Sequence, residues 1–107
     1  MMMDDKPWLN RTFQDGILFY MDVKYICDHI CNMQKERLSD NPDTWTRSKE
    51  YAIERLLDSG LHPDKIHPIS LALYPGKEEF SVTDGITRLR VFRKRGIEKI
   101  FARLYHR

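Results

Sequence analysis

The feature that most constrains the fold is a change of pattern at Asp84-Gly85. Residues 80–83 alternate apolar and small polar side chains as a β-strand does, and residues 86–95 place apolar side chains at helical spacing. Glycine at such a junction lets the backbone approach a ligand closely. The first amides of a helix lack partners within the helix and carry partial positive charge. The junction therefore predicts a strand–turn–helix unit whose turn suits an anion such as phosphate.

The side chains around this turn fit the same chemistry. Thr87 adds a hydroxyl, and the planar guanidinium of Arg88 can grip a phosphate with two hydrogen bonds. Asp84 would hold a metal ion or orient a substrate hydroxyl, and the backbone of Gly85, Ile86 and Thr87 would supply amides. In the alternative interpretation, Asp-Gly is an ordinary turn, Asp84 only caps the helix and Arg88 is a surface residue. The residues alone leave both interpretations open.

The rest of the chain predicts one small domain of mixed secondary structure. Apolar patterns predict a strand at 17–21, a helix over 23–38, a loop at 39–43, a helix ending at Gly60, a hairpin of 69–74 with 80–83, and a last strand at 99–105. Strands and helices in this order predict an α/β or α+β fold, with a mixed sheet flanked by helices. Residues 1–15 are interpreted as an N-terminal arm that docks through Trp8 and Phe13, and residues 16–107 as the domain.

Charge is distributed unevenly along the chain. Residues 1–85 carry 10 basic and 15 acidic side chains (net −5), whereas residues 86–107 carry 8 basic side chains and one acidic one (net +7). A basic C-terminal quarter suits an anionic ligand, either a nucleotide or a nucleic acid such as DNA. A solvated helix face is the alternative. In the nucleic-acid interpretation the phosphate backbone would meet six residues: Arg88, Arg90, Arg93, Lys94, Arg95 and Lys99.

The two cysteines, Cys27 and Cys31, are predicted to be free thiols. They lie one helical turn apart, where a disulfide has poor geometry, and free cysteine usually behaves as a small buried hydrophobe. A metal site would need more ligands than these two residues supply. No apolar run has the length of a membrane span, and the acidic start of the chain is unlike a secretory signal. We expect a cytoplasmic protein without a membrane partner.

The order of elements over residues 50–105 resembles that of the ParB/sulfiredoxin superfamily. The shared features are a helix ending in glycine, the strand start Pro68-Ile69, a hairpin, a glycine-containing box that opens a helix, a second glycine at Gly96 and a final strand. The box Asp84-Gly85-Ile86-Thr87-Arg88 is similar to the Asp-Gly-His-Thr-Arg box of the free-serine kinase branch, with Ile86 in place of His.

Two other branches of the superfamily match less well. Sulfiredoxins carry a catalytic cysteine in their Gly-Gly-Cys-His-Arg box, where this chain has Ile86, so the resemblance does not extend to sulfinic acid reduction. ParB proteins carry Gly-Glu-Arg-Arg, and this chain lacks the Glu and the first Arg. We therefore do not expect CTP hydrolysis of the ParB type from this box.

The resemblance implies a nucleotide, CTP, ATP or ADP, bound with Mg²⁺, and either nucleotide hydrolysis or phosphotransfer. Arg88 and the amides of residues 85–87 would hold phosphates, Asp84 would act through Mg²⁺, and His67 would touch a phosphate or the base. The free-serine kinase branch also uses a catalytic glutamate, for which Glu36, Glu50 and Glu54 are alternatives. A further alternative is a protein that kept the fold without catalysis and binds DNA or a protein partner.

Overall fold

A computed structural model describes residues 6–9, 12–38 and 44–107 as an α+β domain with one mixed sheet. The strands are β1 (Ile17–Asp22), β2 (Ile69–Leu73), β3 (Phe80–Asp84) and β4 (Lys99–His106), in the order β1-β4-β2-β3. The helices are α1 (Val23–Asp28), α2 (Asn32–Lys35), α3 (Thr44–Asp58) and α4 (Ile86–Lys94), with 3₁₀ turns at Pro7–Leu9, Glu36–Leu38 and Pro63–Lys65. The predicted fold class, a small domain with a mixed sheet and helices, is confirmed.

The last strand, β4, lies inside the sheet. It pairs antiparallel with β1, with Ile100 opposite Met21, and parallel with β2, with Leu104 opposite Leu71. Strands β2 and β3 form the predicted antiparallel hairpin. Alternation along β4 buries one face of the sheet against the helices, because strand side chains point to opposite faces in turn. The core cluster includes Ile100, Ala102 and Leu104 of β4, Ile26 of α1, and Leu89 and Phe92 of α4.

The helix predicted over residues 23–38 is interrupted. Helix α1 ends at Asp28, and the chain then runs beside the outer edge of β3, with the Phe80 amide donating to the His29 carbonyl and the Cys31 amide donating to the Phe80 carbonyl (both 2.8 Å). The edge of a strand has unpaired backbone groups. Residues 29–31 bind these groups of β3 and therefore do not continue α1, although their sequence has helical spacing. Cys27 and Cys31 are therefore not on one helix, but both are free thiols as predicted.

The described part of the N-terminal arm packs on the body. Trp8 is buried against Phe19, and Phe13 stacks on His106 with ring centroids 4.2 Å apart. The domain start at residue 16 stays a prediction. Residues 1–5, 10 and 11 of the arm and the predicted loop at 39–43 lie outside the described residues. Within the described ranges, every helix is too short or too polar to pass through a bilayer.

Candidate phosphate-binding site

The turn between β3 and α4 has a backbone that only glycine fits. Gly85 is the N-cap of α4 and has a left-handed φ of +99°. A Cβ atom at this position would lie 2.7 Å from Ile69 Cγ2 and 2.7 Å from Arg88 Nη2. The first helical hydrogen bond runs from the Leu89 amide to the Gly85 carbonyl (3.0 Å), so the amides of residues 86–88 have no acceptor within the helix. The strand–turn–helix unit predicted from the sequence is present.

A small irregularity in the hairpin precedes this turn. Ser70 pairs with Asp84 and Leu71 pairs with Val82, which leaves Thr83 as the extra residue of a β-bulge. The Thr83 hydroxyl donates to the Ser70 carbonyl at 3.2 Å. Bulges increase the local twist of a strand and redirect its side chains. The bulge thereby sets the direction in which Asp84 leaves the sheet.

Arg88 and Asp84 form an ion pair across the turn. Arg88 Nη2 lies 3.2 Å from Asp84 Oδ2 and donates to the Pro68 carbonyl at 3.4 Å. The Arg88 side chain is only 19% exposed, whereas that of Asp84 is 62% exposed. Arg88 Nε is buried and has no hydrogen-bond partner within the described residues. The guanidinium is thus held over the turn, and an incoming anion would compete with the Asp84 carboxylate for it.

The other predicted site residues lie around this pair. Thr87 is half-buried in the first turn of α4, and the Ile86 side chain packs against the core, so Ile86 offers a ligand only its amide. His67 is exposed and precedes Pro68, whose carbonyl accepts from Arg88. Asp84 is not the helix cap, because Gly85 has that role. The structure therefore brings residues 84–88 and the start of β2 together.

Asp84 is the acidic side chain of this turn. Among the described residues, no three His, Cys, Asp or Glu side chains cluster in a way that could hold a metal ion. Mg²⁺ in nucleotide sites is commonly bound by one or two carboxylates together with phosphate oxygens and waters. One exposed carboxylate beside a turn with free helix amides would fit that donor set, with Asp84 as the protein ligand.

Arg90 is not available to a phosphate backbone, contrary to its place in the predicted nucleic-acid surface. Its side chain is 6% exposed, with Nε 2.6 Å from Glu50 Oε1 and Nη1 donating to the Arg37 carbonyl at 2.6 Å. Helix α3 covers the side of α4 that would otherwise face solvent, and it supplies Glu50. This pairing also places Glu50, one of the alternatives for a catalytic glutamate, in a buried ion pair.

The remaining basic residues near the end of α4 largely bind the protein itself. Arg93 donates to the Leu38 carbonyl at 3.2 Å. Arg95 donates to the Glu54 carbonyl and pairs with the Asp58 carboxylate. Lys99 lies 4.0 Å from Asp22, and Lys94 is exposed. Arg93 and Arg95 therefore bind α4 to the turn at Glu36–Leu38 and to α3, respectively.

A cleft of about 1040 Å³ lies at the other end of α4. Its lining includes Cys27, Asp28, Arg93 and Glu98, and none of residues 84–88. Burial raises the pKa of the Cys27 thiol to about 11. This thiol is consequently protonated at neutral pH and is a poor nucleophile, since the thiolate is the reactive form. Cys27 therefore adds no nucleophile to this cleft.

Comparison with known proteins identifies a similar fold. A structure of a mutant free serine kinase in complex with AMP superposes with a TM-score of 0.50 and 22% identity, over 86% of this chain and 32% of that chain. This chain thus spans about a third of the length of that kinase. No family model matches the sequence, and no curated protein matches it. The likeness agrees with the fold expected from the resemblance to the free-serine kinase branch.

Proposed function

We propose that this protein is a nucleotide-binding domain that holds phosphate groups at the turn formed by residues 84–88. The observation that carries the proposal is the geometry of Gly85. Its left-handed backbone, with no room for a side chain, opens the N-terminus of α4 directly beside the Arg88 guanidinium. Free amides, the positive end of a helix and an arginine at one point are the elements of a phosphate site.

The roles of the residues follow from their positions. The amides of residues 86–88 would donate to phosphate oxygens, the Thr87 hydroxyl would add a further donor, and Arg88 would supply the charge. His67, at the start of β2, would flank the phosphates or the base. Asp84 would bind the Mg²⁺ that accompanies the nucleotide, and the metal would neutralise phosphate charge. A cation on Asp84 would also release Arg88 from its ion pair and make the guanidinium available to the phosphates.

The fold likeness supports a nucleotide over a simple inorganic anion, because the similar kinase was solved with AMP. ADP, ATP and CTP are the ligands to compare. We further propose that the bound nucleotide is hydrolysed or used for phosphotransfer, with Asp84 acting through Mg²⁺. DNA binding through the basic residues of α4 has weaker support, because Arg90 is buried in an ion pair with Glu50 and Arg95 pairs with the Asp58 carboxylate.

The test is calorimetric titration of the protein with ADP, ATP and CTP, each with and without Mg²⁺. We expect micromolar binding that Arg88→Ala abolishes and Lys94→Ala leaves unchanged. Lys94 is the matched control, because it is an exposed cation on the same helix and makes no hydrogen bond or ion pair with the described residues. Asp84→Asn should remove the dependence on Mg²⁺. Absence of binding to all three nucleotides, or equal loss in both cation variants, would refute the proposal.

A further inference from the structure

The second face of the sheet carries an alternating set of cations and aromatic rings. On β4, Ile100, Ala102 and Leu104 point into the core. Strand alternation therefore sends the intervening side chains to the opposite face. These outward residues are Lys99, Phe101, Arg103, Tyr105 and, one residue past β4, Arg107. We call this surface the open face, because in the described part of the chain Ile26 of α1 and Leu89 and Phe92 of α4 belong to the core cluster on the other side of the sheet.

Aromatic side chains of the neighbouring strands extend this pattern. Tyr20 of β1 is 46% exposed, and its ring lies 4.7 Å from the ring of Phe101, its register partner. Tyr105 is also exposed. Beyond β2, the Arg107 guanidinium lies 5.0 Å from the centre of the Tyr74 ring. Rings from three neighbouring segments thus lie on one surface, with a cation between successive rings along β4.

The charges that β1 and β4 present on the open face are mainly positive. Lys99 lies 4.0 Å from Asp22 and 5.8 Å from the Tyr20 ring, so its charge stays beside the aromatic surface. Arg103 donates one hydrogen bond, from Nη1 to the Gly16 carbonyl at 3.0 Å. A guanidinium has five N–H donors, so this bond fixes the side chain and leaves other donors for a ligand. On β1, β4 and the residue after β4, this surface therefore carries three cations and one carboxylate, that of Asp22.

We propose that the open face binds single-stranded nucleic acid. Unpaired bases would stack on Tyr20, Phe101 and Tyr105, and phosphates would contact Lys99, Arg103 and Arg107. Sequence-tolerant binding of single strands uses this combination of exposed rings and cations. A protein partner fits less well, because docking here would bury Lys99, Arg103 and Arg107, and buried charges are costly unless the partner pairs each of them. The proposal is independent of the nucleotide site, since none of the six side chains that it uses belongs to the turn at 84–88.

The test is fluorescence anisotropy with labelled oligothymidylate and oligouridylate of about fifteen nucleotides, which covers the usual site size. We expect both strands to bind, with affinity falling as salt rises at a logarithmic slope of about −2 for three phosphate contacts. A duplex of matching length should bind far more weakly, because its bases are already stacked inside. The ratio between the two single strands shows whether RNA or DNA is preferred.

Matched variants locate the binding surface. Tyr20→Ala should weaken oligonucleotide binding about tenfold, as loss of one stacked base does. Tyr51→Ala is the control, because Tyr51 is 64% exposed on α3 and has Arg55 5.8 Å from its ring, the same kind of pair on another surface. Lys99→Gln, which leaves the aromatic rings in place, should reduce the salt slope even if Tyr20→Ala is poorly folded. Arg88→Ala should change nothing.

Four outcomes would overturn the proposal. They are absence of single-strand binding, equal binding of the duplex, equal loss in the Tyr51 control, and self-association of the protein that Tyr20→Ala abolishes. The last outcome would show that a second copy of the chain covers the open face.

Discussion

The side-chain amide of Gln34 makes two hydrogen bonds to the backbone of Val82, as a neighbouring strand would. Its Oε1 accepts from the Val82 amide at 2.7 Å, and its Nε2 donates to the Val82 carbonyl at 2.9 Å. Together with the bridge between Ile30 and Phe80, this contact covers the outer edge of β3. A covered edge cannot recruit a strand of another chain, so Gln34 protects the sheet against association through β3.

Gln34→Glu should destabilise the protein by about 1–3 kcal/mol. The new carboxylate can still accept from the Val82 amide, but its second oxygen would face the Val82 carbonyl, where Gln34 has an N–H donor. Two acceptors that face each other without a donor cost about 1–3 kcal/mol. Urea unfolding measures the change. Gln14→Glu, the same substitution at an exposed position, should stay within about 0.5 kcal/mol of the wild type. Equal effects at the two positions would contradict the role of Gln34.

Gly85→Ala should both destabilise the fold and disturb Arg88. The left-handed φ costs about 1–2 kcal/mol for any residue with a side chain, and the new methyl group would also press on Ile69. Gly76→Ala isolates the first cost, because Gly76 has a φ of +71° and no atom within 4 Å of an added Cβ. Thermal unfolding should therefore show a larger loss at Gly85 than at Gly76. A loss at Gly85 no larger than at Gly76 would mean that the turn can relax away from Ile69.

Removal of Glu50 should cost about 3 kcal/mol, because Glu50→Ala deprives a buried guanidinium of its carboxylate partner. Asp58→Ala breaks a more exposed pair with Arg95 and should cost less than about 1 kcal/mol. Denaturant midpoints of the two variants test the difference. The double variant Glu50→Met with Arg90→Met should recover most of the loss, because it removes both buried charges. A double variant as unstable as Glu50→Ala would point to packing rather than charge.

The contact between the N-terminal arm and β4 should weaken in acid. Hydrogen bonds from the His106 backbone amide and side chain hold the pKa of Asp15 below its ordinary value of 3.8. A lowered folded-state pKa adds stability above the unfolded-state value, and that stability is lost as pH falls through the folded-state pKa. Between pH 5 and pH 2 (roughly the range of this transition), Asp15→Asn should lose less stability than the wild type. Acid-unfolding curves of equal steepness would refute this contribution.

The hairpin, the turn at Asp84-Gly85 and α4 could be predicted from the sequence because their signals are local. Alternation, a glycine and helical spacing are all contained in residues 69–95. The break after α1 could not be predicted in this way, since Ile26, Ile30 and Cys31 keep helical spacing, and the competing partner is the edge of β3, about fifty residues further along the chain.

The burial of Arg90 could not be predicted either, because it also depends on a partner that is distant in the sequence. One basic residue among several on α4 is buried because α3, forty residues earlier, presents Glu50 to it. The sequence of α4 alone does not indicate which of its basic residues is buried by α3. The turn at residues 84–88, by contrast, consists of consecutive residues, so a phosphate site could be proposed there before any tertiary contact was known.

The central position of β4 has a consequence for synthesis on the ribosome. A nascent chain that has emerged only as far as Gly96 has β1 and the β2–β3 hairpin, but not the strand that joins them. Met21 and Leu71 then have no Ile100 or Leu104 to face across the sheet. Their apolar surface stays open to chaperones and to other nascent chains until residue 106 leaves the exit tunnel. The sheet can therefore assemble only after β4, the last of its four strands to be synthesised, has emerged.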